Sequence, residues 1–414
     1  MLREHAGPSG GGGANESYVG RGGKAGYGVR RSGFILASDG RLGCPGIFLR
    51  RRLRLDESRR LALGGGMDKR TLGFGIVGTG MIAGVHAQAI AAVEGAELIG
   101  VVSRSVERGR DFNANHGGSV VATAVEELAS RDDVDVICIT TPSGAHLEPA
   151  MIAMAAGKHV VIEKPIEVTT ARVDALLSAA AEAGVRVAPI FQQRFSAGAQ
   201  AVKAAVAAGR FGQLTSVGCY VKWFREESYY TGSNWKGTQR YDGGGAVMNQ
   251  GIHGVDLLQW LAGLPETVSA FTTRRVHHGI EVEDTAVASL RFRDGALGTI
   301  EATTAAWPGW AMRIELCGEN GSVRLEDGVI TAWSFRDDRP EDATILGGEA
   351  ALGSGAANPG GISIEGHRRQ IADLVAAVRE DRPLAIAGSD ARNAVALINA
   401  LYASAASGRP ESVA

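Results

Sequence analysis

Only four cysteines occur in 414 residues, and Cys44, Cys138, Cys219 and Cys317 lie far apart, without the close pair that metal sites and redox motifs use. Free, buried thiols in a reducing compartment follow, which points to the cytoplasm. No stretch approaches the ~20 apolar residues that span a bilayer. An excess of one charge is missing too. The formal net charge is −2, so nucleic acid and membrane surfaces have no electrostatic hold on the chain. What is there suits a globular protein with a sizeable core, 45% apolar and 21% charged. The length implies two or three domains.

The first 66 residues differ from the rest. They hold the run Gly10–Gly13 and the basic cluster Arg50-Arg51-Arg52-Leu53-Arg54, with few apolar positions in any period. Such a segment cannot bury enough surface to offset its ordering entropy, so disorder is expected. Arg30-Arg31-Ser32-Gly33-Phe34 loosely resembles a twin-arginine export signal, but the apolar run Phe34-Ile35-Leu36-Ala37 is too short for one. Residues 1–66 read as an extension outside the fold, with Met67 as a plausible start.

From Leu72 the pattern changes. Leu72–Val77 is an apolar run, Gly78-Thr79-Gly80-Met81-Ile82-Ala83 follows, and Ile82, His86, Ala89, Ile90 and Val93 then recur at helical steps. This is strand, glycine turn, helix. Gly78 permits the tight turn, Gly80 lets a pyrophosphate approach the backbone, and Ala83 is small where helix meets strand. A second buried-type strand, Leu98–Val102, comes at the distance a βαβ unit requires. It ends in Ser103-Arg104-Ser105, where a carboxylate would grip the ribose 2′-hydroxyl and repel a 2′-phosphate. None is present. Arg104 can pair with that phosphate or stack on the adenine, so NADP(H) is favoured over NAD(H). Ser105 can equally cap a helix, with Arg104 solvated beside it.

Further strands at 134–139 and 159–162 make a doubly wound parallel sheet, and residues 67–189 read as a Rossmann domain. Ligands bind beyond the strand C-termini, where Thr141, Pro142, Glu163 and Lys164 fall, with His146 just after the first pair. Lys164, in Glu163-Lys164-Pro165, sits where the nicotinamide should be. Its ammonium can hydrogen-bond the substrate oxygen.

Residues 190–414 read as a second domain. Segments 214–224, 268–276, 286–292 and 296–304 are strand-like. Between the first two lies a polar-aromatic loop with Tyr229, Tyr230 and Trp235, a place where substrate contacts tend to sit. Aromatic rings there can pack on the C–H faces of a ligand while Arg194, Lys222, Lys236 and Thr238 bond its hydroxyls. Gly243-Gly244-Gly245 lets backbone pass close to cofactor or substrate. His253, His277 and His278 have no ligand spacing, and no metal is expected. Helical patterns at 366–377 and 391–406 read as packing on the second domain.

Together these pieces resemble the glucose–fructose oxidoreductase, inositol dehydrogenase and MocA (Gfo/Idh/MocA) family, from about Leu72 to Pro410. The likeness rests on Gly78–Ala83, Thr141-Pro142…His146, Gly157-Lys158-His159-Val160, Glu163-Lys164-Pro165, Gln193-Arg194-Phe195, Gly243-Gly244-Gly245…Asn249-Gln250-Gly251-Ile252-His253…Asp256, and Gly318-Glu319-Asn320-Gly321-Ser322. The resemblance implies an α/β Rossmann domain followed by an α+β domain with a large, open, mostly antiparallel sheet. One face of that sheet would cover the active site, and the other would form a homodimer or homotetramer. It implies hydride transfer between NADP or NAD and a hydroxyl or carbonyl carbon of a sugar, cyclic polyol or derivative. Lys164 and His253 would be the catalytic groups. In inositol-dehydrogenase-like members a carboxylate stands four residues before the histidine; here that position is Asn249. An amide orients but holds no proton, so a Lys164/His253 pair is the simpler expectation, with Asn249 beside it facing the substrate. Asp256 could support the His253 ring or make an ordinary helical contact. A glycosidase or lyase that uses its cofactor transiently, a non-catalytic sugar- or cofactor-binding regulator, and a reductase of non-sugar carbonyls remain as alternatives.

Overall fold

The computed structural model describes residues 70–346 and 363–414. The expectations for residues 1–66, Cys44 among them, lie outside the described residues. Six parallel strands form the first sheet: β1 (Leu72–Val77), β2 (Ala96–Val102), β3 (Val120–Ala122), β4 (Val136–Ile139), β5 (His159–Ile162) and β6 (Val187–Pro189). Their order, β3-β2-β1-β4-β5-β6, reverses direction between β1 and β4. All six β1 residues are buried, as a central strand covered by helices on both faces must be. The registers pair Val77 with both Val102 and Ile139, and Ile139 with Ile162. Four strands therefore end level, and the residues that follow them (Gly78, Ser103, Thr140, Glu163) open onto one crevice at the switch point.

The second sheet has eight strands: β7 (Leu214–Lys222), β8 (Thr267–Thr273), β9 (Thr285–Arg291), β10 (Leu297–Thr303), β11 (Arg313–Gly318), β12 (Gly321–Glu326), β13 (Val329–Phe335) and β14 (Glu411–Ser412), in the order β13-β12-β11-β7-β10-β9-β8-β14. Only β7 and β10 pair in parallel; every other neighbour is antiparallel. Alternate residues, among them Val217, Cys219, Val221, Ile300 and Ala302, join one core with the helices Ile252–Ala262 and Gly388–Ser407.

Two features depart from the sequence reading. Strands β11–β13 were not expected, and the Gly318–Ser322 motif is the turn joining β11 to β12. The helix Ile364–Arg379 does not stay with the second domain. Its Ile371, Leu374 and Val375 share a cluster with Phe74, Ile76, Ala87 and Ile90 of the first. No helix among the described residues is long and apolar enough to cross a membrane.

Candidate active site

The crevice is a cleft of about 1160 Å³. At its first-domain end lie Gly78, Thr79, Gly80, Met81 and Ile82, with Ser103, Arg104, Thr141, Pro142 and His146 around them. Gly78 has φ +112°, and an added Cβ would meet Thr140 Oγ1 at 2.8 Å, so only glycine fits. A Cβ on Gly80 would meet nothing within 4 Å. The helix Met81–Ala91 starts there with no side-chain cap, so its first amides are left for an anion. This end fits a dinucleotide pyrophosphate. Ser105 caps the helix Val106–His116 by accepting from the Arg108 amide and donates to Glu107 at 2.9 Å. Arg104 and Arg108 both line the cleft.

The His146 ring nitrogens lie 2.8 Å from the Pro165 carbonyl and 2.9 Å from the Thr141 carbonyl. This residue ties two cleft turns together. Glu163 is held in the same way. Its Oε1 accepts from His86 Nε2 at 2.8 Å and His367 Nε2 at 3.3 Å, and its Oε2 accepts from the Lys164 amide at 3.0 Å. Burial works against the carboxylate, but the bonds from His367 and His86 prevail and hold Glu163 well below its usual range. Burial lowers His86, which makes it a neutral donor. These three side chains form a cluster with metal-ligand chemistry. However, Nδ1 of each histidine is buried without a partner, whereas metal-bound histidines almost always donate from the second nitrogen. The trio reads as a hydrogen-bonded clasp on a carboxylate.

Lys164 follows Glu163 at the end of β5. Its Nζ donates to the Asn249 main-chain oxygen at 2.6 Å and reaches Asn249 Oδ1 at 3.4 Å. Burial lowers its pKa, and Glu163 and Asp242 oppose that. Asn249 lies in a π-helical turn, Ala246–Gly251, which runs into the helix carrying His253. The Glu283 carboxylate fixes that turn, accepting from the Gly245 and Val247 amides at 2.8 and 3.0 Å. Gly245 itself is required because a Cβ would fall 1.7 Å from the Glu283 carbonyl oxygen. The glycine run thus makes room for the protein's own atoms, the Val168 and Tyr402 side chains at Gly243 and Gly244 and backbone at Gly245, rather than for a ligand. His253 is pushed down to about 3, by burial first and the Lys164 charge second. It is a neutral imidazole, able to accept a proton.

Three expected substrate contacts are elsewhere. Arg194 is buried outside the cleft lining, where Nε and Nη2 donate to Asp256 at 2.8 and 2.6 Å and Nη1 donates to Asp390 at 2.9 Å. With both carboxylates engaged it is a structural clamp, and Asp256 serves Arg194 rather than His253. Lys222 pairs with Glu301 across β7 and β10 at 2.7 Å. Thr238 caps the helical turn Gln239–Asp242 and donates to the Trp235 carbonyl at 2.6 Å. Trp235, Asn249 and His253 do line the cleft.

The polar-aromatic loop does reach the cleft: Lys236, expected to bond hydroxyls, lines it together with Trp223, Arg225 and Tyr229, whereas Asp242 went unread in the sequence. Arg225 lies over the rings of Trp223 and Tyr229, and Lys236 Nζ sits 3.6 Å from the Tyr229 ring centre. Asp242, behind the wall, accepts from the Gly237 amide at 2.6 Å and from Asn249 Nδ2. Burial pushes it up to about 6. Basic side chains dominate the lining: Arg104, Arg108, Lys164, Arg225 and Lys236 against the single acid Glu163.

A glycine turn at the switch point of a doubly wound sheet, facing an antiparallel second domain, is the architecture of a dinucleotide-dependent oxidoreductase. A family model described as the oxidoreductase family, NAD-binding Rossmann fold, matches residues 72–191, and one described as the GFO/IDH/MocA C-terminal domain matches residues 199–324. The chain is 34% identical to the WlbA dehydrogenase of Bordetella pertussis, solved in complex with NADH and UDP-GlcNAcA. That match has a TM-score of 0.76 and covers 84% of this chain and 99% of that one. It is 26% identical to the inositol 2-dehydrogenase of Rhizobium meliloti over 355 residues, 83% of this chain and all of the other. With the 1,5-anhydro-D-fructose reductase of Ensifer adhaerens it shares 28% identity over 225 residues, 54% of this chain and 67% of that one. This chain belongs to the Gfo/Idh/MocA family. It is an NAD(P)-dependent oxidoreductase acting on CH–OH groups.

Proposed function

We propose that the substrate is an anionic sugar, of the kind represented by the nucleotide-linked uronate held by the WlbA dehydrogenase. The observation that carries this reading is the convergence of Lys164, Arg225 and Lys236 on the cleft beside His253, with no acid but Glu163 among the lining residues. Burial lowers the pKa of each of the three. These are desolvated cations that an anion would stabilise. A bound nicotinamide supplies the hydride acceptor. His253, neutral, takes the hydroxyl proton, and the Lys164 ammonium donates a hydrogen bond to the developing alkoxide. In reduction the same groups serve the carbonyl oxygen. Trp235 offers a flat apolar face to the ring. For the cofactor, Arg104 and Arg108 favour NADP(H), although the WlbA relative holds NADH. For assembly, the exposed Phe271, Val287 and Leu297 on one sheet face favour a second copy of the chain as partner.

The test is cofactor absorbance with NAD and NADP separately, against UDP-linked uronates, neutral aldoses and cyclic polyols. Reduction is expected with the acidic sugar and about 10²–10⁴-fold less with His253→Ala. Lys164→Ala should likewise abolish turnover while cofactor binding persists. Turnover of neutral polyols equal to that of the acid would overturn the anionic reading.

A further inference from the structure

Asn249 stands between two groups of opposite charge. On one side Lys164 Nζ donates to its main-chain oxygen and approaches Oδ1. On the other, Nδ2 donates to Asp242 Oδ1. An ammonium only donates and a carboxylate only accepts, so the amide can face just one way, Oδ1 to Lys164 and Nδ2 to Asp242. The second Asp242 oxygen accepts from the Gly237 amide, which anchors the loop carrying Trp235 and Lys236. Asp242 is 1% exposed and lies outside the cleft lining. It cannot touch substrate. What it can do is hold the residue that holds Lys164.

We propose that Asp242 is a positioning residue that acts through Asn249 to fix the aim and charge of Lys164. This rests on the reading of Lys164 as the group that meets the substrate oxygen. Other charges face the pair. Lys164 also meets Glu163 and Arg225, while Asp242 meets Lys236 besides Lys164. Glu163 is clasped by two histidines and stays ionised across the working range. Asp242 is raised to about 6 by burial, against the Gly237 amide, Asn249, Lys164 and Lys236. Of the two acids near Lys164, Asp242 is the one that titrates near neutrality. Turnover should therefore fall as pH drops through about 6, when the Asp242 charge is lost.

The experiment compares Asp242→Asn, Asn249→Ala and the exchange variant Asp242→Asn/Asn249→Asp with wild type. The first readout needs no substrate: the pH dependence of Lys164 modification by an amine-reactive reagent, followed by mass spectrometry. Loss of a nearby negative charge should move the Lys164 midpoint down by about one pH unit in Asp242→Asn. The second readout is turnover. A fall of about tenfold in kcat is expected, with the dinucleotide KM unchanged and the fall-off near pH 6 absent. The exchange variant should regain most of the lost kcat, which a merely structural aspartate would not allow. Should Asp242→Asn fail to fold, Asn249→Ala keeps Asp242 and Gly237 joined and should still lower the Lys164 midpoint. An unchanged midpoint in the folded variants overturns the proposal, and so does an exchange variant as slow as Asp242→Asn. Absence of turnover in wild type with a shifted Lys164 midpoint would instead count against the proposed substrate alone.

Discussion

His253 has its folded pKa pushed down to about 3, against about 6.5 for an unfolded histidine. Between those values the unfolded chain takes up a proton that the folded chain refuses. Stability must therefore fall as pH drops from about 6.5 toward 3. Replacing His253 with Gln removes that linkage, and denaturant melts at stepped pH should show a shallower decline for the variant. An equally steep decline would mean that His253 is protonated in the fold. The same depression keeps His253 unprotonated at any working pH. The cleft placement of Lys164, Asn249 and His253 was legible in the sequence because each sits in a short motif. Arg194, Lys222 and Thr238 misled because a polar residue's destination depends on its partner. Arg194 meets Asp256 from 62 positions away. The His86–Glu163–His367 clasp joins residues separated by 77 and 204 positions, and no local pattern announces it.

Between elements, Arg194 joins segments far apart in the sequence. It links the turn Gln192–Phe195 to the helices Ile252–Ala262 and Gly388–Ser407 through Asp256 and Asp390. Both Arg194 and Asp256 are almost fully buried. Removing one partner strands the other charge, a loss of about 3–5 kcal/mol. Arg194→Ala should thus unfold at markedly lower urea, while any folded enzyme keeps a wild-type substrate KM. A raised KM at unchanged stability would return Arg194 to the substrate. Elements were read unevenly. The βαβ pattern and strands β7–β10 stood out through long apolar or alternating runs. In β11 and β12 only Ile314, Leu316, Val323 and Leu325 face the core between charged neighbours, and a Gly-bounded turn splits them. Such short alternations carry little signal.

At the scale of the whole molecule, charge and apolar surface are unevenly spread. A chain of net charge −2 concentrates basic groups in its cleft, which would draw anionic ligands inward. On the second sheet, Phe271 (82% exposed), Val287 and Leu297 face outward, and Trp307 and Trp310 are exposed on the loop after β10. If a second copy covers this face, light scattering should give a multiple of the chain mass. Asp substitutions at Phe271 and Leu297 should then yield monomers, whereas a wild-type monomer would discount the pairing.

The helix Ile364–Arg379 bears on how the protein is made. A ribosome that has completed β1 through β6 has not yet supplied Ile371, Leu374 and Val375, which fill the core around Phe74, Ile76 and Ile90. The nascent first domain therefore emerges with an open apolar side and waits through some 175 further residues, roughly 10–35 seconds of synthesis, for its last helix. Until then that side has no cover from this helix, and a gene cut short before it would leave the side uncovered by it permanently.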